Sequence, residues 1–409
     1  QGPKIRIGRF KDSTVTLKAG DRFTLDAALP SAAGTQEVVG VDYVQLPEDV
    51  APGDILLLDD GRLELSVDRV DGPRIICSIK VGGKLSNNKG INRKEGGLSA
   101  GAMTDKDRQD IRAAVGMGVD YIAVSFVRNA ADIHDARDIL TSVDSTAGVI
   151  AKIERTEAVA AADEIIRAAD GVMIARGDLG VEMGDAEVPA IQKHIIQRAV
   201  WLDKPAITAT QMMESMIKSA IPTRAEVSDV ANAVLDGTDA VMLSGETAVG
   251  KHPEKVVDAV ARVCLASEKQ PVTQMSDHRV ERRFERVDEA IAMSAMYAAN
   301  HLDIKAIVAL TESGSTPLRM SRIRTAIPIF GLSRYAATLR RMTLYRDVYP
   351  LAFDATNRPR NEVKREAIGV LERLGLLKTG DMAIITKGDQ EGVYGVTNAM
   401  KIVEVGQVY

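Results

Sequence analysis

Residues 149–159 read VIAKIERTEAV, an apolar run that ends in Lys152 and Glu154. Because side chains alternate along a strand, Lys152 and Glu154 project from one face and Ile153 from the other. Two opposite charges on one face either pair with each other or face a ligand that is both anionic and metal-bound. Taken alone, a Lys-x-Glu at a strand end is more often a surface ion pair, so the surrounding sequence has to decide.

Short apolar strands that end in polar residues recur between residues 102 and 270. The predicted strands are YIAVSF (121–126), VIAKIE (149–154), GVMIAR (171–176), PAITAT (205–210) and AVMLSG (240–245). Helical patterns separate them, and this alternation indicates an α/β fold with a parallel sheet. The polar residues at the strand ends are Ser125, Lys152, Glu154, Arg176, Asp178, Thr208, Thr210, Ser244 and Glu246. Since a (β/α)8 barrel builds its active site at these ends, the pattern predicts such a TIM barrel.

A closed barrel needs eight strands, and only five can be counted. We therefore assign strands 4 to 8 to residues 102–270 and expect residues 1–4 to be the remnant of strand 3. The first residue is Gln1 and not Met, so we expect the N-terminal strands to lie upstream of this chain.

Two further domains are predicted on either side of these strands. Residues 5–101 contain closely spaced turn signals and predict a small antiparallel β-barrel lid domain inserted into the barrel. Within it, SNNKGINRKEGG (86–97) is a flexible basic loop; most such loops are solvated connectors, yet a lid could bring Lys89 to a phosphate. Residues 271–409 predict an open C-terminal α/β domain with the strands KAIVAL (305–310), IPIFGLS (327–333), VYPLAF (348–353) and DMAIIT (381–386).

The composition excludes several classes of function. The 409 residues are 45% hydrophobic and 27% charged with a net charge of -5, so no global basic field attracts nucleic acid or anionic lipid. No apolar run approaches the roughly 18 residues that a membrane span needs. The two cysteines, Cys77 and Cys264, suit neither a disulfide framework nor a zinc site and indicate a reduced, cytoplasmic protein.

The strand ends predict a metal site. Glu154 and Asp178 follow neighbouring strands, and Mg²⁺ typically takes one or two protein carboxylates together with substrate oxygens. Lys152 beside them suits the neutralisation of a phosphoryl group in transfer. After the next strand, the glycines of ARGDLG (175–180) permit a sharp turn, and a helix starting there would offer N–H groups to a carboxylate.

Other polar segments allow two interpretations each. Thr208 and Thr210 lie on one strand face, where they either bind substrate or fill a strand as β-branched residues. The turn TESGSTPLRMSRI (311–323) either binds an anion or only caps a helix. Thr223 stands three residues before Glu226, a capping box that explains both structurally. No histidine lies at a strand end, so a His general base is not favoured.

These residues in this order resemble the pyruvate kinase family, most specifically through ARGDLGVE and ATQMMESM. The matching strings are QGPKIRIG, LDDG, NKGIN, AVSFVR, AKIER, IARGDLGVE, ATQMMESM, PTRAEVSDVANAVLDG and LSGETAVG, and they span residues 1 to about 250. The resemblance implies transfer of the phosphoryl group of phosphoenolpyruvate to ADP, giving pyruvate and ATP, in an allosterically regulated homotetramer.

The resemblance also implies a role for each matching residue. Glu154 and Asp178 would hold Mg²⁺ or Mn²⁺, and Lys152 would stabilise the transferring phosphoryl group. Substrate would also contact the strand-end residues and turn backbone at Ser125, Arg176, Gly177, Asp178 and Thr210, with Thr210 helping to protonate the enolate. The nucleotide phosphates would contact Arg6 and Lys89. A phosphorylated effector would bind the C-terminal turn at Thr311, Ser313, Gly314, Ser315 and Thr316.

The sequence departs from the family in three respects. The family begins about seventy residues earlier, enough for two strand–helix units, so this chain alone could not close its barrel. Lys4 stands where potassium-dependent members carry glutamate, so K⁺ is not expected to be required. Glu312 occupies a position that is basic in some fructose-bisphosphate-activated members, which favours a sugar monophosphate or AMP as effector.

Two alternative functions remain open at this point. One is a Mg²⁺-dependent 2-oxo acid lyase or aldolase on the same barrel, which would have no need of a lid carrying Lys89. The other is a catalytically inactive, effector-binding paralogue, which the presence of Lys152, Glu154, Asp178 and Thr210 disfavours.

Overall fold

The structure, a computed structural model, describes residue 2 and residues 5–274, 283–356, 359–388 and 397–407. Its Cα positions divide into two compact units, Gln1–Ile195 and Ile196–Tyr409. The boundaries predicted after residues 101 and 270 divide the chain differently from these units, and they stay a prediction.

The first hundred residues form a β-rich segment, called here the β unit. Its elements are β1 (Thr14–Leu17), β2 (Arg22–Asp26), β3 (Val38–Gly40), α1 (Leu46–Asp49), β4 (Ile55–Leu58), β5 (Leu63–Asp71), β6 (Arg74–Val81), β7 (Gly83–Ser86) and β8 (Ile91–Arg93). Six strands form one sheet in the order β3-β2-β6-β5-β4-β8, and β1 pairs with β7. Every second residue of β5, at Leu63, Leu65 and Val67, is buried in the core of the unit, as a sheet with one covered face requires.

The barrel strands of the first unit are parallel, as predicted. They are β9 (Tyr121–Val124), β10 (Gly148–Ile153) and β11 (Gly171–Ala175), and β10 pairs with both neighbours. The intervening helices are α2 (Asp105–Gly116), α3 (Ala130–Ser142), α4 (Thr156–Ala160), α5 (Ala162–Ala168), α6 (Arg176–Met183) and α7 (Val188–Trp201). Each strand ends one or two residues before the sequence pattern does, because the polar residues at its end turn away into the following loop or helix.

The second unit begins with two further parallel strands, β12 (Ala206–Ala209) and β13 (Ala240–Met242). Its helices up to residue 274 are a 3-10 turn (Glu214–Ile217), α8 (Arg224–Asp236), α9 (Gly245–Ala248), α10 (Pro253–Ser267) and α11 (Pro271–Gln274). The capping box of Thr223 and Glu226 at the start of α8 is confirmed.

The C-terminal α/β domain contains a five-stranded sheet in the order β16-β15-β14-β17-β18. Its elements are α12 (Val287–His301), β14 (Ile304–Leu310), α13 (Ser315–Ser321), β15 (Ile329–Ser333), α14 (Ala336–Met342), β16 (Val348–Ala352), α15 (Arg360–Arg373), β17 (Met382–Gly388) and β18 (Thr397–Glu404). The predicted strands are confirmed, whereas the antiparallel β18 was missed.

Strand β14 shows why the C-terminal strands read as unbroken apolar runs. Ile307 and Ala309 are buried in one core cluster, and Ala306 and Val308 in another. Because both faces of the sheet are covered, both sets of alternating residues have to be apolar. No helix in the described part of the chain is long and apolar enough to cross a bilayer.

A buried ion pair joins Arg322, which follows α13, to Asp239, which precedes β13. The guanidinium contacts both carboxylate oxygens, and both side chains are at most 1% exposed. Asp239 also accepts hydrogen bonds from the backbone N–H groups of Ala206 (2.9 Å) and Arg346 (2.9 Å). One carboxylate therefore holds three segments of the second unit.

Replacing Arg322 by methionine should destabilise the protein by about 3–5 kcal/mol, because Asp239 is left buried without its countercharge. The shift of the urea unfolding midpoint measures this effect. The control is Arg262→Met on α10, whose ion pair with Asp258 is exposed and should contribute little. Equal midpoints for the two variants would contradict a dominant role for the buried pair.

Candidate active site

The register of β9 and β10 brings Ser125 and Lys152 together. Ala151 pairs with Val124, so the next residue in each segment, Lys152 and Ser125, projects from the same face of the sheet. Lys152 Nζ donates a hydrogen bond to Ser125 Oγ (2.9 Å) and lies 2.5 Å from Glu154 Oε1. Both sequence interpretations of the Lys-x-Glu are thus compatible with the structure, since the two charges pair with each other at the predicted strand end.

Glu154 is the most buried charge of this site, with a side chain 1% exposed. Its Oε2 accepts a hydrogen bond from Phe126 N (2.7 Å), while Oε1 contacts the ammonium of Lys152. Burial raises the pKa of the Glu154 carboxyl, the ammonium of Lys152 lowers it and the charge of Asp178 raises it. Glu154 therefore lies within electrostatic reach of a second carboxylate.

Asp178 reaches this position because β11 runs directly into a helix. Strand β11 ends at Ala175, and α6 begins at Arg176, as the glycine-containing turn predicted. Asp178 lies in the first turn of α6, and alanine at the N-cap supplies no side-chain acceptor to that turn. Arg176 Nη1 donates to Gln192 Oε1 (3.4 Å) on α7.

A cavity of about 200 Å³ in the first unit brings Arg6, Lys89 and Asp178 together. Lys89 Nζ lies 2.6 Å from Asp59 Oδ1, and Arg6 forms an antiparallel bridge with Gly90. The segment predicted as a flexible loop thus contains β8 and a paired backbone, because its residues complete the sheet of the β unit. The cavity is lined by Ile5, Arg6, Asp59, Asp60, Asn88, Lys89, Gly90, Ile91, Asn92, Leu98, Phe126, Arg155, Asp178 and Glu182.

Thr210 belongs to the second unit and lies just beyond the end of β12. Its φ of +69° and the φ of +54° at Gln211 take the chain out of the strand, so Thr208 and Thr210 do not share a strand face. The Thr210 hydroxyl donates to Ala209 O (2.6 Å), and buried Thr208 donates to Thr238 Oγ1 (3.1 Å). A β-branched residue with positive φ is strained by about 1–3 kcal/mol, and such strain clusters at functional sites.

The C-terminal turn before α13 uses part of its hydroxyl groups internally. Thr311 Oγ1 accepts a hydrogen bond from Gly314 N (2.9 Å), and Ser313 Oγ accepts one from Ser315 N (3.3 Å). Thr316 is buried and its hydroxyl lies 2.7 Å from Thr397 Oγ1. Glu312 pairs with Arg334 at 3.2 Å. These hydrogen bonds lie within the turn, and the N-cap of α13 is Gly314, so no side chain caps the helix.

Two buried residues of the cavity, Arg155 and Glu182, were missed from the sequence. Arg155 lies over the Phe126 ring at 5.6 Å, and burial raises the pKa of Glu182 to about 7. Glu182 follows Asp178 by four residues on α6, the spacing of neighbours on one helix face, and this signal could have found it. Lys4, on which the K⁺ expectation rests, lies outside the described residues.

The carboxylates present fit a divalent ion that also binds substrate. Glu154 and Asp178 interact electrostatically, and the buried Glu154 Oε1 faces the ammonium of Lys152. Within the described ranges no group of three or more acidic, His or Cys residues is placed to hold a metal ion. A two-carboxylate site is what Mg²⁺ uses when substrate oxygens and water complete its shell.

Fold and site together define a class: an α/β barrel enzyme whose strand ends carry a lysine and two carboxylates, the groups suited to a phosphorylated, metal-bound substrate. Residues 1–257 match the family model "Pyruvate kinase, barrel domain", and residues 289–403 match "Pyruvate kinase, alpha/beta domain". The chain belongs to the pyruvate kinase family, and it is a phosphotransferase.

Individual relatives give the same result. The chain is 53% identical to "Pyruvate kinase" of Haemophilus influenzae over 95% of this chain and 82% of that protein. It is 54% identical to "Pyruvate kinase II" of Salmonella typhimurium over 99% of this chain and 85% of that protein. A crystal structure of a pyruvate kinase from Cryptosporidium parvum aligns with a TM-score of 0.90 at 34% identity, over 99% and 82% of the two chains. These similarities give no support to a lyase, an aldolase or an inactive paralogue. The family requires a divalent metal ion.

Proposed function

We propose that the ammonium of Lys152 stabilises the phosphoryl group during its transfer from phosphoenolpyruvate to ADP, the reaction of this pyruvate kinase. The main support is the position of the Lys152 ammonium between Ser125 Oγ and the buried carboxylate of Glu154. These two contacts hold a positive charge in place before substrate arrives. Preorganised charge of this kind is the main requirement of phosphoryl transfer.

Glu154 and Asp178 hold the divalent ion, Mg²⁺ or Mn²⁺. The charge of Asp178 raises the pKa of the Glu154 carboxyl, and a cation between the two carboxylates offsets this repulsion. When bound, the ion offsets the negative charge of the phosphoryl oxygens. The surrounding residues orient Glu154, because Lys152 and the N–H of Phe126 each hold one of its oxygens.

The reaction proceeds in two stages. A β-phosphate oxygen of ADP attacks phosphorus, the bond from phosphorus to the enol oxygen breaks, and ATP and the enolate of pyruvate are formed. Lys152 neutralises the phosphoryl group during this transfer, and Ser125 contacts the substrate next to it. The backbone of Arg176 and Gly177 at the start of α6 binds the substrate carboxylate. The enolate then takes a proton at its terminal carbon, with the Thr210 hydroxyl contacting substrate and helping to deliver it.

Arg6 and Lys89 bind the nucleotide phosphates from the β unit, which acts as a lid. Their shared cavity with Asp178 supports this assignment, since it places two cations near the proposed metal ligand. Lys89 now pairs with Asp59 at 2.6 Å, so binding of a phosphate would exchange one anionic partner for another.

Lys152→Met should reduce kcat by at least about 10³-fold, because the charge that stabilises the transferring phosphoryl group is lost. The measurement is the rate of pyruvate formation from phosphoenolpyruvate, ADP and Mg²⁺. Lys106→Met, which removes an exposed lysine paired with Asp110 on α2, is the control and should be as active as wild type. Activity of Lys152→Met near that of the control would reject the assignment.

We further propose that K⁺ is not required, because Lys4 supplies the positive charge. Replacing K⁺ by tetramethylammonium at constant ionic strength should then change kcat less than about twofold. In Lys4→Glu, the same replacement should abolish most of the activity, because the carboxylate recreates a site for the cation. A steep loss of activity in the wild-type protein without K⁺ would contradict the proposal.

The C-terminal turn from Thr311 to Thr316 binds a phosphorylated effector, for which a sugar monophosphate or AMP is proposed over fructose bisphosphate. The charge of Glu312, the second residue of this turn, supports the choice because it would repel a second phosphate. The regulation that follows is allosteric. We also propose a homotetramer, supported by the exposed apolar residues Val257 and Leu265 on α10. A cytoplasmic location is supported by the free thiols of Cys77 and Cys264.

Ser315→Asp should abolish activation by a sugar monophosphate or AMP, because a carboxylate in the first turn of α13 repels the effector phosphate. The measured quantity is the ratio of rates with and without effector at low phosphoenolpyruvate concentration. Ser294→Asp, at an exposed position on α12, is the matched control and should retain the wild-type ratio. Unchanged activation of Ser315→Asp would place the effector elsewhere.

A further inference from the structure

The connection that leads from β8 back to the barrel has an unusual backbone. Glu95, Gly96 and Gly97 have consecutive positive φ angles of 67°, 77° and 90°. Glutamate rarely adopts such a conformation, and a run of three defines one sharply bent path for the chain. The connection is therefore a structured joint between the β unit and the barrel strands of the first unit.

Three side chains that follow the barrel strands hold this joint: Arg155, Glu157 and Glu182, called here the clasp. Arg155 Nη1 donates to the carbonyl oxygens of Leu98 and Ala100, at 3.3 Å each. Glu157 Oε1 accepts a hydrogen bond of 2.5 Å from Gly97 N.

Glu157 also explains why residue 96 is glycine. A Cβ added to Gly96 would lie 3.0 Å from both Glu157 carboxylate oxygens, closer than side chains normally approach. The carboxylate is thus packed directly against the bent backbone of the joint. A larger residue at position 96 would have to displace Glu157 or the joint itself.

Glu182 links the joint to the cavity. Its Oε2 accepts a hydrogen bond from Thr156 N (3.1 Å), its side chain bonds Asn92 on β8, and its backbone carbonyl accepts from Glu95 N (3.1 Å). Arg155 and Glu182 line the same cavity as Arg6 and Lys89. The clasp therefore contacts the β unit on the barrel side of the proposed nucleotide site.

Two backbone hydrogen bonds link the segment that precedes the joint to the segment that contains Arg6. Ile91 N donates to Ile5 O (2.9 Å), and Ile7 N donates to Lys89 O (2.9 Å). Strand β8 begins at Ile91 and ends two residues before Glu95. A displacement at the joint must consequently move the backbone that bears Arg6 and Lys89.

Some buried polar atoms in and next to the clasp have no hydrogen-bond partner in the described structure. Three consecutive residues each have a buried polar atom without a hydrogen-bond partner in the described structure, namely Arg155 Nε, Thr156 Oγ1 and Glu157 Oε2. Such atoms are costly, and native proteins keep few of them. Their concentration in one segment means that the joint is held at a cost in stability.

We propose that Arg155, Glu157 and Glu182 are positioning residues that set the affinity for ADP by fixing where the β unit presents Arg6 and Lys89. This inference rests on the proposed roles of those two cations. The clasp residues hold the lid in a position that the nucleotide phosphates then select, and they need not touch substrate.

The test is a split between the KM values for ADP and phosphoenolpyruvate. Glu182→Gln and Glu157→Gln, assayed at a pH above the Glu182 pKa of about 7, retain the size and an acceptor oxygen of each side chain but remove its charge. Each should raise the KM for ADP about tenfold, the effect of weakening one charge-assisted hydrogen bond. The KM for phosphoenolpyruvate and kcat at saturating ADP should change less than about twofold. A merely structural role would instead lower stability and leave both KM values unchanged.

The control is Asp170→Asn, which precedes β11 at the opposite end of the strand. Asp170 also binds a backbone N–H, that of Val149 (2.8 Å), and an arginine, Arg137 (2.9 Å). Its replacement should lower the unfolding midpoint and leave both KM values at their wild-type level. A rise in the KM for ADP as large as in the clasp variants would show that the effect is not specific to the joint, and would overturn the proposal.

A double-mutant cycle with Lys89→Met separates failure of this inference from failure of the proposed function. Lys89→Met alone should raise the KM for ADP, and adding Glu182→Gln should then raise it less than in the wild-type background. If Lys89→Met leaves the KM unchanged, the proposed role of Lys89 is wrong. If Lys89→Met raises it but Glu182→Gln and Glu157→Gln do not, only the clasp is wrong.

Discussion

The contact between the Lys152 ammonium and the buried carboxylate of Glu154 is the constraint on which the site depends. A carboxylate that is 1% exposed needs a countercharge, and Lys152 supplies it while a hydrogen bond from Phe126 N holds the other oxygen. The parallel register of β9 and β10 adds a second contact to the ammonium, because it places Ser125 beside Lys152. The chemistry of this pyruvate kinase is thus tied to the pairing of its barrel strands.

Residues that follow the barrel strands also hold the β unit. The residue after Glu154 is Arg155, whose guanidinium binds the carbonyl groups of the returning connection, and Glu157 binds its amide. Asp178 in the first turn of α6 is a proposed metal ligand, while Glu182 one turn later bonds the β unit. Two short segments, 152–157 and 176–182, therefore serve both the proposed reaction and the attachment of the proposed lid.

Much of the fold could be predicted from apolar residues that repeat every two residues in strands and every 3.6 residues in helices. Apolar runs such as that of β14 predicted strands correctly, and so did the capping box at Thr223 for the start of α8. Strand β18 was missed, since its sequence has no uniform alternation and its antiparallel pairing to β17 is a long-range choice. The shared face of Thr208 and Thr210 was wrong because positive φ angles end the strand first, and backbone strain leaves little trace in residue type.

The sequence by itself determined the order of strands and helices, the polar residues at the strand ends and, through its motifs, the family. These follow from local periodicity and from short strings that carry their own chemistry. Only the tertiary structure decided that Lys152 contacts Ser125, that Arg6, Lys89 and Asp178 line one cavity, and that Arg155, Glu157 and Glu182 hold the joint. Contacts between residues far apart in the chain depend on strand register and on the path of the connections, and neither is written in the local pattern.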